Sequence, residues 1–292
     1  MNEEKVKIAI ERLKLADQMS RKYFDSPLYV CISGGKDSSV ITQLAIESGL
    51  DVIFSHSHTT VDMPPTVYFV RSEMKRLAAM GYKTQILYPE KSMWQLIEEK
   101  DGMPPLRIAR YCCKYFKERH VRDDRKAFIV TGVRWEESTK RRNTRGEFEA
   151  KAKDPRNSIV IKENDNCAER KLFEECRLRS ERICNPIIDW TNEEVWEYLE
   201  DRKCPTNILY KLGFERIGCI GCPLTKAKDF KKEFAIFPRY KKCYIDAIRR
   251  GLIRAKKKGK ELRWDIDAEA AFKDWTQRSS YVLKSTGKPS GM

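Results

Sequence analysis

Small hydroxyl, glycine and charged residues follow a short apolar run at 28–32, and their types and order are suited to binding phosphate. They are Ser33, Gly34, Gly35, Lys36, Asp37, Ser38 and Ser39. Where a buried strand passes through such a turn into a helix, several backbone N–H groups converge at the positive end of the helix dipole. Glycine lets an anion approach the backbone, and Lys36 adds a mobile positive charge. The segment predicts a phosphate site, with an ordinary glycine-rich turn as the alternative.

Paired cysteines form a second set of reactive residues. Cys219 and Cys222 enclose Ile220-Gly221, and Cys112 is followed directly by Cys113. Four thiols predict a metal centre, with a structural Zn²⁺ site or a redox dithiol as alternatives to an iron–sulfur cluster. Adjacent cysteines reach two irons of a cuboidal cluster more readily than one tetrahedral ion, which favours the cluster. Other candidates for a fourth ligand are Cys204, Cys176 and Cys184.

Three charged residues are candidates for contacts with a bound nucleotide. The planar guanidinium of Arg134 suits an α-phosphate oxygen, although a surface ion pair with a neighbouring glutamate is the alternative. Asp37 can orient Lys36 or a metal ion, or can simply stabilise the helix dipole. Asp62 can contact the nucleotide or its metal, or can cap the helix that follows it.

These residues must be positioned by an alternation of strands and helices. Apolar strands are predicted at 28–32, 52–57, 83–87 and 127–132, and helices at 3–23, 38–48, 65–79, 92–99, 114–123 and 193–201. Such alternation is typical of an α/β fold with a doubly wound, mainly parallel sheet. Ligands bind such sheets outside the carboxyl ends of the strands, where the segment 33–39 lies.

The remaining segments suggest the domain organisation. Residues 134–165 are polar and basic and predict a mobile loop or lid, or a solvated insertion. We expect a nucleotide-binding domain over 1–225, a basic helical unit over 226–283 with its charge concentrated in 249–260, and a disordered tail over 284–292.

Composition limits the class of protein and its partners. The 292 residues are 41% hydrophobic and 35% charged, as in a soluble globular protein. No apolar segment is long enough to span a bilayer and the N-terminus is not a signal peptide, so we expect a cytoplasmic protein without a membrane partner. The ten cysteines should then be reduced thiols, metal ligands or redox groups and not structural disulfides. The formal net charge of +15 favours a nucleotide or nucleic acid as partner.

With these residues in view, the chain resembles the phosphoadenylyl-sulfate (PAPS) reductase family of the N-type ATP pyrophosphatase, or PP-loop, superfamily. The resemblance is carried by the S-G-G-x-D-S pattern at 33–38 and by the segments 59–64, 132–138, 185–190 and 213–222. It implies the adenine-nucleotide α-hydrolase fold and a nucleotide, ATP or PAPS/APS, bound with Mg²⁺ by the 33–39 segment, Asp62 and Gly132. It also implies a [4Fe–4S] cluster on Cys112, Cys113, Cys219 and Cys222.

One departure from the family pattern shapes the functional hypothesis. The assimilatory reductases carry an E-C-G-L-H-type nucleophile, whereas the last cysteine here is Cys243 in Lys241-Lys242-Cys243-Tyr244. The chain is therefore more similar to the DNA-phosphorothioation sulfurtransferase and to tRNA-thiolating PP-loop enzymes.

The resemblance implies an ATP-using sulfurtransferase that adenylates an acceptor, DNA or tRNA, and inserts sulfur, with catalytic residues Lys36, Asp37 and Arg134. A cysteine desulfurase or a thioredoxin-like protein would be its partner. The alternatives are a PAPS or APS reductase that releases sulfite, and a nucleic-acid-binding accessory protein without catalysis.

Overall fold

The computed structural model describes residues 2–118, 128–150, 158–161, 182–261 and 264–277. Within them the chain forms two compact units. The first unit comprises Met1–His58, Asp62–Tyr88 and Lys117–Gly218, and the second comprises Thr59–Val61, Pro89–Phe116 and Cys219–Met292. This division differs from the expected single boundary after residue 225, because the segment 89–116 packs with the C-terminal helices.

The first unit is built on a seven-stranded sheet. Its strands are β1 (Tyr29–Cys31), β2 (Ile53–Ser57), β3 (Lys83–Leu87), β4 (Phe128–Val130), β5 (Phe148–Ala150), β6 (Ile159–Ile161) and β7 (Arg182–Cys184). Their order is β3-β2-β1-β4-β7-β5-β6. The pairs from β3 to β7 are parallel, and β5 is antiparallel to both β7 and β6. The predicted doubly wound, mainly parallel α/β fold is confirmed.

Helices alternate with the strands as the apolar periodicity predicts. They are α1 (Glu3–Phe24), α2 (Lys36–Glu47), α3 (Pro64–Ala79), α4 (Met93–Glu99), α5 (Tyr111–Cys113), α6 (Thr139–Thr144), α7 (Asn192–Asp201), α8 (Ala227–Ile236), α9 (Pro238–Lys257) and α10 (Ala268–Gln277). Short 3₁₀ turns cover Trp135–Glu137 and Ile208–Tyr210. The helix predicted at 114–123 begins instead at Tyr111 and continues as a π-helical turn over Lys114–Glu118; residues 119–123 lie outside the described residues.

The core of the first unit explains why these elements form. Leu13 of α1, Val30 of β1 and Phe54 of β2 are fully buried and belong to one apolar cluster with Leu44 and Trp190. Burying a side chain of this size stabilises a fold by about 1.5–3 kcal/mol. The apolar stripe of α1 and the buried central strands therefore hold the carboxyl ends of the strands in place.

Residues 134–150 contain more regular structure than the expected loop or lid. They include α6 and the strand β5, with Glu149 buried in the strand and Glu147 buried just before it. Glu147 forms an ion pair with Arg12, and Glu149 lies 2.8 Å from Arg145. Because each buried carboxylate has a guanidinium partner, a charged segment can join the sheet, which local polarity does not reveal. Residues 151–157 and 162–165 of the expected lid lie outside the described residues.

The second unit packs α4 against α9. The Trp94 and Tyr244 rings meet edge to face at 4.9 Å, and Arg250 pairs with Glu98 at 3.0 Å. At Gly251 the approach is so close that an added Cβ would lie 2.1 Å from a backbone nitrogen in the 101–102 turn, so only glycine fits there.

The predicted helical C-terminal extension is confirmed by α8, α9 and α10, and the tail at 284–292 lies outside the described residues. No helix in the described part of the chain is long and apolar enough to cross a membrane.

Candidate functional site

The topology of the first unit brings two loops together. Strand β1 lies between β2 and β4, where the strand order reverses, so the loops after β1 and β4 leave the same edge of the sheet. An added Cβ at Gly132 would lie 2.9 Å from the backbone carbonyl of Asp37. Gly132 is therefore needed for close packing of the β4 loop against the first turn of α2, whatever its role toward a nucleotide.

The segment Ser33–Ser39, hereafter the phosphate loop, has the backbone of an anion site. Gly34 has φ +78°, in the left-handed region that favours glycine. Gly35 is the N-cap of α2 and provides no side-chain cap, which leaves the first N–H groups of the helix to other acceptors. The hydroxyls of Ser38 and Ser39 donate to the Gly35 carbonyl at 2.7 and 3.4 Å, so they stabilise the turn.

Asp37 connects the two cations that the sequence singles out. Its carboxylate lies 3.3 Å from Lys36 Nζ and 2.7 Å from Arg134 Nε. Arg134 is only 2% exposed, and its Nη1 also donates to Glu136 at 2.9 Å and to the Trp190 carbonyl at 3.1 Å. The structure thus places Arg134 in a buried network that orients Asp37, with the alternative glutamate pair as one of its contacts.

Positive charge is concentrated next to this network. Burial and the like charges of Arg216 and Arg145 lower the pKa of Arg141 to about 10, and the carboxylate of Asp37 opposes that shift. Arg141 also pairs with Glu137. A bound anion would stabilise the charged form of this guanidinium by offsetting the repulsion from the neighbouring arginines. The lid interpretation of 134–165 does not identify this role for Arg141.

Tyr210 is a site residue that the sequence analysis misses. Its hydroxyl accepts the Lys36 backbone N–H at 2.7 Å, at the first turn of α2. Burial raises the pKa of Tyr210 to about 12, so its hydroxyl stays protonated. Nothing in the local sequence marks this tyrosine, since a 3₁₀ turn far along the chain brings it to the phosphate loop.

Asp62 lies apart from the helix cap. The N-cap of α3 is Met63, and no side-chain bond caps that helix. Asp62 instead groups with His56 and His58 at the carboxyl end of β2, with one ligand atom of each within 4.8 Å of the others. No motif in the sequence marks either histidine.

The second unit brings together Cys112, Cys113, Cys219 and Cys222, hereafter the four-cysteine group. All four are half-buried. The pKa of Cys112 is raised well above the ordinary thiol value by its hydrogen bond with Cys113, by burial and by the neighbouring Cys219 and Cys222. Each thiolate in this group would repel the others, so deprotonating them together is unfavourable. A metal cation offsets that repulsion, and the group is therefore suited to a metal centre.

The C-x-x-C turn of this group is fixed by its surroundings. Gly221 has φ +73°, and an added Cβ would lie 2.9 Å from the Tyr244 hydroxyl and 3.0 Å from Trp275. Its N–H donates to Glu233 at 2.9 Å, and the Tyr244 hydroxyl donates to the Ile220 carbonyl at 2.8 Å. The turn is therefore held independently of any bound group.

The other candidate ligands lie elsewhere. Cys184 is fully buried in β7, and Cys204 packs against the core of the first unit. Neither belongs to the second unit, where the four-cysteine group lies. Cys176 lies outside the described residues.

The basic segment at 249–260 is largely paired with carboxylates of its own unit. Among the residues that the structure describes, five of its seven cations form ion pairs: Arg249 with Asp246, Arg250 with Glu98, Lys256 with Asp265, and Lys258 and Lys260 with Asp101. Exposed pairs of this kind contribute at most about 1 kcal/mol each, so the cations can exchange their partners for phosphates.

Comparison with known proteins places these features in context. The phosphoadenosine phosphosulfate reductase domain family matches residues 27–225. Two uncharacterised proteins of Methanocaldococcus jannaschii are similar. One is 27% identical over 259 residues, covering 84% of this chain and 55% of the relative. The other is 30% identical over 234 residues, covering 76% and 42%. The chain thus spans about half the length of these relatives.

A solved structure, phosphoadenylyl-sulfate (PAPS) reductase from Candida auris in its phosphate complex, aligns with a TM-score of 0.46 at 19% identity. The alignment covers 72% of this chain and 87% of that one.

Proposed function

The chain belongs to the phosphoadenosine phosphosulfate reductase family, and on that premise we propose that it is an ATP-dependent sulfurtransferase. Members of this family are enzymes that act on nucleotides and carry out sulfur chemistry. The observation that carries the proposal is that one chain combines a phosphate loop surrounded by arginines with a four-cysteine group. The loop provides a site for a triphosphate, and the cysteines provide ligands for sulfur chemistry.

The proposed reaction has two steps. An oxygen of the acceptor bonds to the α-phosphorus of ATP, the bond from that phosphorus to pyrophosphate breaks, and the acceptor's proton passes to solvent. A sulfur nucleophile at the oxidation level of sulfide then replaces the adenylated oxygen, which leaves as part of AMP. No electrons are gained or lost overall.

Residues of the phosphate loop and its neighbours support the first step. Lys36 and Arg141 carry positive charge that neutralises the departing pyrophosphate. Asp37 holds Lys36 at 3.3 Å and Arg134 at 2.7 Å, and its carboxylate is a candidate contact for the Mg²⁺ that accompanies ATP. The Tyr210 hydroxyl stays protonated and can donate a hydrogen bond to a phosphate oxygen.

The four-cysteine group fits an iron–sulfur cluster better than zinc. Cys112 and Cys113 are adjacent in the chain, so their side chains diverge and reach two irons of a cuboidal cluster more readily than one tetrahedral Zn²⁺. A [4Fe–4S] cluster takes its thiolates on separate irons and so accepts a wider spacing. When bound, the cluster would supply an iron centre for the sulfur being transferred.

Nucleic acid is the proposed acceptor. The net charge of +15 favours a polyanion, and the ion-paired cations of 249–260 can be redirected to phosphates. Binding of tRNA or duplex DNA should then weaken steeply with salt. A binding curve that stays flat between low and moderate salt would argue for a different acceptor.

The test of the proposed function follows ATP. With nucleic acid and sulfide, the protein should convert ATP to AMP and pyrophosphate, and Lys36→Ala should lower this rate at least tenfold because a charge-assisted contact of about 1.5–3 kcal/mol is lost. Lys83→Ala removes an exposed lysine at the start of β3 and serves as the matched control. Equal rates for the two variants would contradict the proposal.

A sulfonucleotide reductase is the second candidate, favoured by the family match and by the exposed thiol of Cys243. With PAPS or APS and reduced thioredoxin, such an enzyme releases sulfite. Sulfite release that is lost in Cys243→Ser, with no ATP turnover, would establish this candidate instead.

A further inference from the structure

Two histidines and an aspartate converge at the carboxyl end of β2, within the first unit. One ligand atom from each of His56, His58 and Asp62 lies within 4.8 Å of the other two. His56 and Asp62 are buried, at 6% and 8% exposure, and His58 is half-buried. Burial of three such groups together is costly unless they share a proton, a hydrogen-bond network or a cation.

The ring of His56 keeps one nitrogen available as a ligand. Its Nδ1 lies 2.7 Å from the Ile32 carbonyl oxygen, which can only accept, so Nδ1 carries the hydrogen and Nε2 keeps its lone pair. A backbone carbonyl on the far ring nitrogen is the arrangement that usually orients metal-bound histidines.

The spacing of His58 and Asp62 suits a shared ion better than a hydrogen bond. His58 Nδ1 and Asp62 Oδ2 are 3.5 Å apart, longer than the usual N–H···O distance of about 2.7–3.2 Å. Two ligand atoms on one ion, with bonds of about 2.0–2.2 Å, lie roughly 2.8–3.6 Å apart in octahedral or tetrahedral geometry. The observed separation falls at the upper end of that range.

We propose that His56, His58 and Asp62 bind one divalent first-row transition-metal ion, such as Fe²⁺ or Zn²⁺. Two imidazole nitrogens and one carboxylate form a donor set for these ions, whereas Mg²⁺ and Ca²⁺ prefer oxygen ligands alone. Three protein ligands leave at least one coordination position open for water or a substrate oxygen.

The place of this site in the fold links it to the phosphate loop. Cys31 of β1 is paired with Ser55 of β2, and the Ile32 N–H donates to the Ser55 carbonyl at 2.8 Å. His56 therefore lies beside Ile32, the residue immediately before the phosphate loop. A nucleotide phosphate oxygen is accordingly the expected substrate ligand at the open position.

Cobalt provides the test, because the visible absorption of bound Co²⁺ distinguishes nitrogen and oxygen ligands from thiolate ligands. The full chain, purified anaerobically without metal, is titrated with Co²⁺. We expect one equivalent of Co²⁺ to bind with visible d–d absorption and no thiolate-to-cobalt charge transfer, in addition to any Co²⁺ that the four-cysteine group takes up with charge transfer. Its affinity should fall at least tenfold in His58→Gln and in Asp62→Asn, and should be unchanged in His120→Gln, which removes the remaining histidine.

A cysteine variant separates this site from the four-cysteine group. Cys219→Ser with Cys222→Ser should abolish charge-transfer absorption and leave the nitrogen–oxygen signal intact, whether or not the proposed ATP reaction occurs. Circular dichroism and thermal midpoints verify that His58→Gln and Asp62→Asn remain folded. Co²⁺ affinity within twofold of wild type in both folded variants, or Co²⁺ signals that all disappear with the cysteines, would overturn the proposal.

Discussion

Replacing Gly34 by alanine should damage the phosphate loop through both its backbone and its packing. The backbone of Gly34 has φ +78°, and an L-residue in that region costs about 1–2 kcal/mol. The new Cβ would also lie 2.7 Å from Thr66 Cγ2 and 3.2 Å from Val70 Cγ2. Overpacking of this kind costs about 1–3 kcal/mol. Gly34→Ala should therefore lower the free energy of unfolding by about 2–5 kcal/mol.

Gly49→Ala is the matched control. Gly49 has φ +67°, but an added Cβ meets nothing within 4 Å, so this variant carries only the backbone cost of about 1–2 kcal/mol. Urea unfolding measures both variants, and isothermal titration with ATP measures loop function. A loop displaced by the Thr66 contact should bind ATP at least tenfold more weakly, since 1.4 kcal/mol corresponds to tenfold. If Gly34→Ala is no less stable than Gly49→Ala and binds ATP normally, the steric reasoning is wrong.

Three further predictions concern the remaining parts of the molecule. Gly221→Ala should lower the iron content of anaerobically purified protein, because the new Cβ would lie 2.9–3.0 Å from Tyr244 and Trp275 and displace the C-x-x-C turn. Gly218→Ala has open space around its Cβ and should keep full iron content, so equal iron in both variants would contradict this steric argument. Arg141→Gln should raise the thermal midpoint of the nucleotide-free protein, because it relieves repulsion among arginines, and should weaken ATP binding about tenfold. Arg142→Gln, at an exposed position, should change neither quantity, and a lowered midpoint with unchanged ATP affinity in Arg141→Gln would count against an anion site. Because burial lowers the pKa of His56, the unfolded chain takes up a proton below about pH 6.5 that the folded chain does not, so the free energy of unfolding should fall as the pH drops below about 6.5. If a His56→Gln variant loses the same stability over this pH range, His56 is not the cause.

Local pattern predicted much of the fold because its determinants are local. The apolar stripe of α1, the short apolar strands and the glycine turn before α2 depend on residues a few positions apart, and the structure confirms them with small shifts at their ends. Strand β5 was not predictable in the same way. Glu149 in the strand and Glu147 just before it are compatible with burial only because Arg145 and Arg12, which the fold brings to them, neutralise their charge.

The candidate sites show the same division. Composition and spacing predict a phosphate site at 33–39 and a metal centre on the cysteine pairs, since these signals lie in the residue types themselves. The sequence could not identify Tyr210 or the histidines as site residues, because an isolated aromatic or imidazole has no motif and its role depends on what surrounds it.

The sequence by itself determined that this chain alternates strands and helices, that a serine- and glycine-rich turn follows the first strand, and that four cysteines occur in two close pairs. Tertiary structure alone decided that Arg134 orients Asp37, that Cys112 lies with Cys219 and Cys222, and that His56 lies beside Ile32. The physical reason is that strand order and helix packing are set by burial of the whole core. They join residues distant in the chain, and no local spacing encodes those distances.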